Sequence, residues 1–266
     1  MTNINNKVFW ITGASSGIGE AIVYELAKQN IKLIISARRQ NVLEEVKERC
    51  LKASQENINI IPLDLGETDT LQDKAKEALA LFGKVDIVIH CGGISQRSMA
   101  IDTILEVDQK VMQINYFGTI ALTKAILPSM IDNGYGHFVT ISSLTGKFGA
   151  PYRSGYAASK HALHGFFDSL RAELWKQNIL VTLVCPGFIK TNISMNAVTE
   201  KGKILNEMDE AQSNGMPADV CAKKIIRGIE RQKNELLIGN KEILGVYLKR
   251  FVPSIFAKII RKAKVR

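Results

Sequence analysis

What this chain lacks narrows its identity first. The four cysteines, Cys50, Cys91, Cys185 and Cys221, form no C-x-x-C pair and lie scattered, mostly in apolar segments. That excludes a disulfide framework and fits a reducing compartment. Histidine is scarce, with four residues. His90 stands beside Cys91 without the ligand spacing of a metal site, and His161 and His164, three apart, follow a tyrosine and a lysine that supply proton chemistry themselves. No metal is expected. There is no internal repeat and no low-complexity tract, and the opening segment Met1 to Asn6 carries no apolar core of the kind a signal peptide needs. Together these absences point to the cytoplasm.

What is present is apolar sequence in regular alternation. The chain has 266 residues, 46% of them hydrophobic, enough for one sizeable core. Strand-like runs are expected at Lys7–Ile11, Ile31–Ser36, Ile58–Leu63, Val85–Cys91, Gly136–Ser142, Ile179–Cys185 and Glu235–Ile238, with amphipathic stretches between them. The alternation predicts an α/β fold, a doubly wound parallel sheet of Rossmann type with seven strands and right-handed crossovers. A single catalytic domain is expected over residues 1–238, with a basic extension over 239–266.

The first run leads into Thr12-Gly13-Ala14-Ser15-Ser16-Gly17-Ile18-Gly19 and then a helical apolar pattern. Strand, glycine loop and helix are the setting in which a dinucleotide is held. Gly13 suits the tight turn, Gly17 a close backbone approach to the pyrophosphate, and Gly19 close packing of helix on strand. An ordinary glycine-rich turn is the plainer alternative. About twenty residues on, Ala37 stands where an acidic side chain would accept from a free ribose 2'-hydroxyl, and Arg38 and Arg39 follow it. Guanidinium groups there suit a 2'-phosphate, which favours NADP(H). The same pair could simply open a solvated helix.

A second motif lies past the middle. Tyr156 and Lys160 are four residues apart on a helical pattern, so their side chains share a face. A phenol alone titrates near pH 10, and an ammonium beside it favours the phenolate. Ser143, at the end of the strand Gly136–Ser142, can hydrogen-bond a substrate oxygen next to the tyrosine. Dinucleotide loop and proton-transfer pair together indicate hydride transfer to or from a carbonyl or alcohol.

In motif order and spacing the chain resembles the short-chain dehydrogenases/reductases over nearly its whole length, and within them most closely the dehydrogenase/reductase member 7 branch, on the run Pro151 to Ala162. The resemblance implies a cofactor loop of Gly13, Ser15, Ser16, Gly17, Ile18 and Gly19, an adenine contact at Asp64 and Leu65, a backbone contact at Gly92, and a nicotinamide-side segment with Pro186, Gly187 and Thr191. It implies a catalytic tetrad of Asn115, Ser143, Tyr156 and Lys160. In that tetrad Tyr156 is the general acid/base, Ser143 orients the carbonyl, Lys160 binds the nicotinamide ribose, and Asn115 supports a water in the proton relay. One departure stands out: the family's Asn-Asn-Ala-Gly is replaced by His90-Cys91-Gly92-Gly93. His90 can take over the first asparagine's structural role only through a different hydrogen bond.

The resemblance further implies a lid over the pocket at residues 192–216, in which Ile193, Met195, Val198, Ile204, Leu205 and Met208 suggest an apolar cover, with Phe148, Tyr152 and Met99 as added wall. A lipophilic carbonyl or alcohol is the expected substrate, and a 3-oxoacyl thioester is an alternative. A homo-oligomer, dimer or tetramer, is expected. A catalytically idle NADP(H)-binding sensor is the competing class, and the complete tetrad speaks against it.

Charge is concentrated at the C-terminal end. Gly239 to Arg266 carries eight basic residues and one acidic residue, seven of the chain's nine net positive charges. After Pro253, residues Ile255, Phe256, Ile259, Ile260 and Ala263 fall within one arc of a helical wheel, opposite Lys258, Arg261 and Lys262. Peripheral contact with an anionic membrane through residues 254–266 would suit that pattern. So would a helix docked on the domain or on a partner subunit with a solvated basic face. No nucleic-acid-reading motif accompanies the charge, so no nucleic-acid partner is expected.

Overall fold

The computed structural model describes residues 4–263. Lys264, Val265 and Arg266 of the basic extension, and Met1 to Asn3 of the opening segment, lie outside the described residues. Seven strands, β1 (Val8–Thr12), β2 (Lys32–Ser36), β3 (Ile58–Ile60), β4 (Ile87–His90), β5 (Gly136–Ile141), β6 (Ile179–Pro186) and β7 (Glu235–Ile238), form one parallel sheet in the order β3-β2-β1-β4-β5-β6-β7. Each strand matches an expected run. β3 ends earlier than expected, although Ile61 and Leu63 beyond it still donate to Ile35 and Ala37 at 3.1 Å.

The strands read as continuous apolar runs because both faces of the sheet are covered. Phe9 and Ile11 of β1 turn to one face, where α1 (Gly17–Leu26) and α7 (Ala218–Glu230) pack, and Val8 and Trp10 turn to the other. That second face is covered by α3 (Leu71–Phe82), α5 (Gly118–Asp132) and α6 (Ser154–Glu173), with Leu122, Ile126, Phe138 and Phe167 fully buried. Between β2 and β3 runs α2 (Gln40–Glu48), and α4 (Leu105–Met112) continues through a π-helical turn, Gln113–Phe117, into α5.

Strand order reverses between β1 and β4, and a crevice opens there at the carboxyl ends of the strands. The extension folds over one side of it as two short helices, α8 (Leu244–Phe251) and α9 (Pro253–Ile260). Phe256 of α9 is buried against Phe148 in an edge-to-face pair at 5.1 Å, in a small cluster with Leu144 and Cys185. Among the described residues no helix is long and apolar enough to cross a membrane.

Candidate active site

The crevice holds a cavity of about 870 Å³ that reaches from the glycine loop to α9. At one end the loop between β1 and α1 is shaped by left-handed backbone that favours glycine. Gly13 and Gly17 have φ of +66° and +62°, and a Cβ on Gly13 would come within 2.6 Å of the Gly92 nitrogen. The loops after β1 and β4 therefore touch, and Thr12 Oγ1 accepts from the Gly92 N–H at 3.3 Å. A Cβ on Gly19 would meet the Gly13 carbonyl at 2.3 Å, so α1 starts tight against the turn. Ser16 caps α1 without a side-chain hydrogen bond, which leaves first-turn N–H groups for an anion beside Ser15 and Ile18 on the cavity wall.

Arg38 and Arg39 leave β2 exposed at the cavity rim, with an Arg38 guanidinium nitrogen 4.0 Å from Asp64 Oδ2. The other Asp64 oxygen accepts from the Gly66 N–H at 2.8 Å. Leu65 lines the cavity next to Gly92, and Pro186, Gly187 and Thr191 close the opposite wall. A cradle of glycine backbone, free helix N–H groups and rim arginines fits a dinucleotide.

At the far end Tyr156 and Lys160 project from one face of α6 into the cavity, both nearly buried, with Lys160 Nζ 5.7 Å from the tyrosine ring centre. The ammonium is fixed by donation to the Ile141 carbonyl at 2.8 Å. Ser143 lines the same cavity, and its Oγ accepts twice from Thr145, from the N–H at 3.1 Å and from the hydroxyl at 2.9 Å. With both lone pairs engaged, its own proton is left to donate.

Asn115, in the π-helical turn, is fully buried, and its carboxamide is used within the protein. It donates to the Ile94 carbonyl at 2.9 Å and to Ser159 Oγ at 3.0 Å, and accepts from the Ile94 N–H at 2.8 Å. Its backbone carbonyl accepts from Thr119 at 2.9 Å. Asn115 therefore clamps the loop after β4 to α6. His90 likewise finds its different bond, to Thr123 Oγ1 of α5 at 2.9 Å, and burial holds its pKa down at about 3. Burial pushes the Cys91 thiol up to about 12, which disfavours its thiolate.

The expected lid is only partly the pocket's cover. Ile193, Val198, Ile204 and Phe148 line the cavity, whereas Met195, Leu205 and Met208 do not. Met99 and Tyr152 border a second, outer depression with Glu200 and Lys201, because a bridge between Ser98 and Arg153 sets their two segments edge to edge. The rest of the wall comes from a source the lid expectation missed: Leu244, Leu248, Phe256, Ile259, Ile260 and Ala263 of the extension. The arc foreseen after Pro253 is thereby split. Phe256 and Ile260 turn inward, Ile255 stays outside, and Ile259 borders the cavity while remaining half exposed.

Two further groups were missed. Asp209 of the lid is 2% exposed and its Oδ2 receives Arg97 Nε at 2.8 Å and Arg153 at 3.2 Å. Burial, then Arg97, brings the Arg153 pKa down to about 10 against the pull of Asp209. Both arginines sit in loops, where no periodicity marks them. Behind the serine strand, His164, Cys185 and Glu235 place ligand-type atoms within 4.8 Å of one another. There His164 Nε2 meets Ser142 Oγ at 3.0 Å and Glu235 pairs with Lys147, so these groups serve the fold.

The short chain dehydrogenase family model matches residues 7–202. The dehydrogenase/reductase SDR family protein 7-like of Drosophila melanogaster is 41% identical over 264 residues, 98% of this chain and 81% of that protein. The dehydrogenase/reductase SDR family member 7 of Homo sapiens is 40% identical over 257 residues, 94% of this chain and 76% of that protein. Among solved structures, a short chain dehydrogenase/reductase from Burkholderia phymatum in complex with NAD superposes with a TM-score of 0.85 at 21% identity, covering 96% of both chains. One from Burkholderia cenocepacia in complex with NADP gives 0.80 at 19% identity, covering 99% of this chain and 100% of the other.

Proposed function

We infer the function from a premise that the family match and the relatives establish: this chain belongs to the short chain dehydrogenase family. It is an oxidoreductase that acts with a nicotinamide cofactor. Beyond that, we propose that it is NADP(H)-dependent and interconverts a lipophilic carbonyl compound and its secondary alcohol. One observation carries the reading. A single cavity has Arg38 and Arg39 at one end, the Ser143, Tyr156 and Lys160 side chains at the other, and an apolar wall from Phe148 and Ile193 to Ile259 beside them.

The cofactor, when bound, supplies or accepts the hydride. The chain does the rest. Ser143, whose oxygen already accepts from Thr145, directs its O–H at the substrate oxygen and fixes it beside Tyr156. Tyr156 gives that oxygen its proton in reduction and takes it back in oxidation. Lys160, held by Ile141, keeps a positive charge beside the phenol, and Asn115 holds the loop that borders it. The apolar wall excludes water from the transfer and selects lipophilic groups.

The test is cofactor titration followed by a screen of apolar ketones and aldehydes for NADPH oxidation. Charge-assisted phosphate contacts contribute about 1.5 to 3 kcal/mol, so NADPH should bind roughly tenfold or more tightly than NADH. Arg38→Ala with Arg39→Ala should bring the two affinities together. Equal affinities in the wild-type protein defeat the NADP assignment. No oxidation across the screen defeats the carbonyl assignment.

A further inference from the structure

Six of the nineteen exposed large apolar side chains among the described residues fall within the sixteen residues 244–259. They form two stripes at helical spacing, Leu244, Tyr247 and Phe251 on α8 and Ile255 and Ile259 on α9, with Val252 in the turn between the helices. Phe251 is 76% exposed and Leu244 60%. The helices are not loose, since Phe256 anchors them to Phe148. Apolar surface of this extent on a fixed element marks a binding face.

The charge around the stripes identifies its occupant. Lys249, Arg250, Lys258, Arg261 and Lys262 are exposed on the same two helices and the turn that follows, and from Ile243 to Ala263 there is no acidic residue. None of the five cations is in an ion pair among the described residues. A second copy on this face would set like charges against each other around a twofold axis. An anionic bilayer offers acyl chains for the stripes and headgroups for the cations. Leu244 and Ile259, one from each stripe, also line the catalytic cavity, so the apolar surface continues from the outer face into the pocket.

We propose that the outer face of α8 and α9 lies in the headgroup region of an anionic membrane, and that the cavity mouth bordered by Leu244 and Ile259 opens onto it, so that a lipophilic substrate enters from the lipid. The docking stands independently of the reductase reading; the access route rests on it.

The experiment is co-sedimentation of the full chain with phosphatidylcholine vesicles, with and without phosphatidylserine. Binding is expected with phosphatidylserine at about 0.05 M salt, and should fade by about 0.5 M as screening sets in. Phe251→Ser with Ile255→Ser, two positions that do not line the cavity, should lower the partition coefficient roughly tenfold or more. Lys258→Glu with Arg261→Glu should remove the preference for phosphatidylserine. An unchanged thermal midpoint certifies that each variant is folded. The same Phe251/Ile255 variant should lose about fivefold or more in kcat/KM for a ketone dissolved in vesicles and keep its rate on a water-soluble ketone. Docking is overturned if the wild-type chain ignores phosphatidylserine vesicles at low salt, if the folded Phe251/Ile255 variant binds as well as wild type, or if wild type is a dimer that this variant splits. Equal rates of variant and wild type on the vesicle-borne ketone overturn the access route. Absence of turnover on either ketone refutes the reductase reading and leaves the sedimentation result standing.

Discussion

In the proposed reaction Ser143 and Tyr156 act on one oxygen, and what each side chain would supply specifies how the variants should fail. Tyr156→Phe deletes only the phenolic proton, so kcat should fall about 10²- to 10⁴-fold, the range for loss of a general acid, while cofactor affinity stays near wild type. Lys160→Ala should damage both, because it removes a charge from the cavity wall and leaves the Ile141 carbonyl without its partner at 2.8 Å. Steady-state kinetics on a confirmed substrate, with calorimetric cofactor titration, separate the two patterns; wild-type rates for Tyr156→Phe would refute the proton-transfer role. At this scale the spacing of Tyr156 and Lys160 is legible because a helix converts four residues into one face. The carboxamide partners of Asn115 are not legible, since they depend on a π-helical turn and on Ile94, 21 residues away.

The lid behaves as an element because it is tied at both ends. Backbone bonds at 2.9 Å join Val198 to Ser95 and Arg97 of the loop after β4, and Asp209 sits between Arg97 and Arg153. Removing one partner of a buried ion cluster costs about 3 to 5 kcal/mol, because the remaining charge stays desolvated. Asp209→Asn should therefore lower stability by about that amount in denaturant unfolding. It should also raise KM for large apolar substrates by releasing Ile193 and Val198 from the wall. A variant within experimental error of wild type on both measures would show that the lid is held by its backbone alone. The strands were readable because a parallel sheet covered on both faces writes itself as unbroken apolar runs. The extension was readable only in part. Apolar positions at helical spacing announce a helix, but α9 has one apolar side turned in at Phe256, another left out at Ile255, and Ile259 between them at the cavity border, and sequence alone merges them into one arc.

Over the whole molecule, burial of ionisable groups ties stability to pH. His90, His137 and His164 are each less than a tenth exposed, and burial leads the causes that hold their pKa values at about 3, 4 and 4. Lys147 adds to the depression at His164, and His137 keeps one hydrogen bond, to Thr182 at 2.8 Å. An unfolded histidine titrates near 6.5, so below that pH the unfolded chain binds protons the native chain refuses. The stabilisation is complete above about pH 6.5 and is lost as pH falls from there toward 4. Between pH 7.5 and 5 each group should forfeit on the order of 2 kcal/mol. Asp108, whose carboxyl burial raises, works in the opposite direction, but it is one partly buried group against three histidines. The thermal midpoint should therefore drop steeply between pH 7 and 5, before ordinary carboxylates begin to protonate. The combined variant His90→Phe and His137→Phe, if it folds, should flatten that slope by about two thirds. A wild-type midpoint that stays level down to pH 5 would mean that the three imidazoles are not held neutral by the fold.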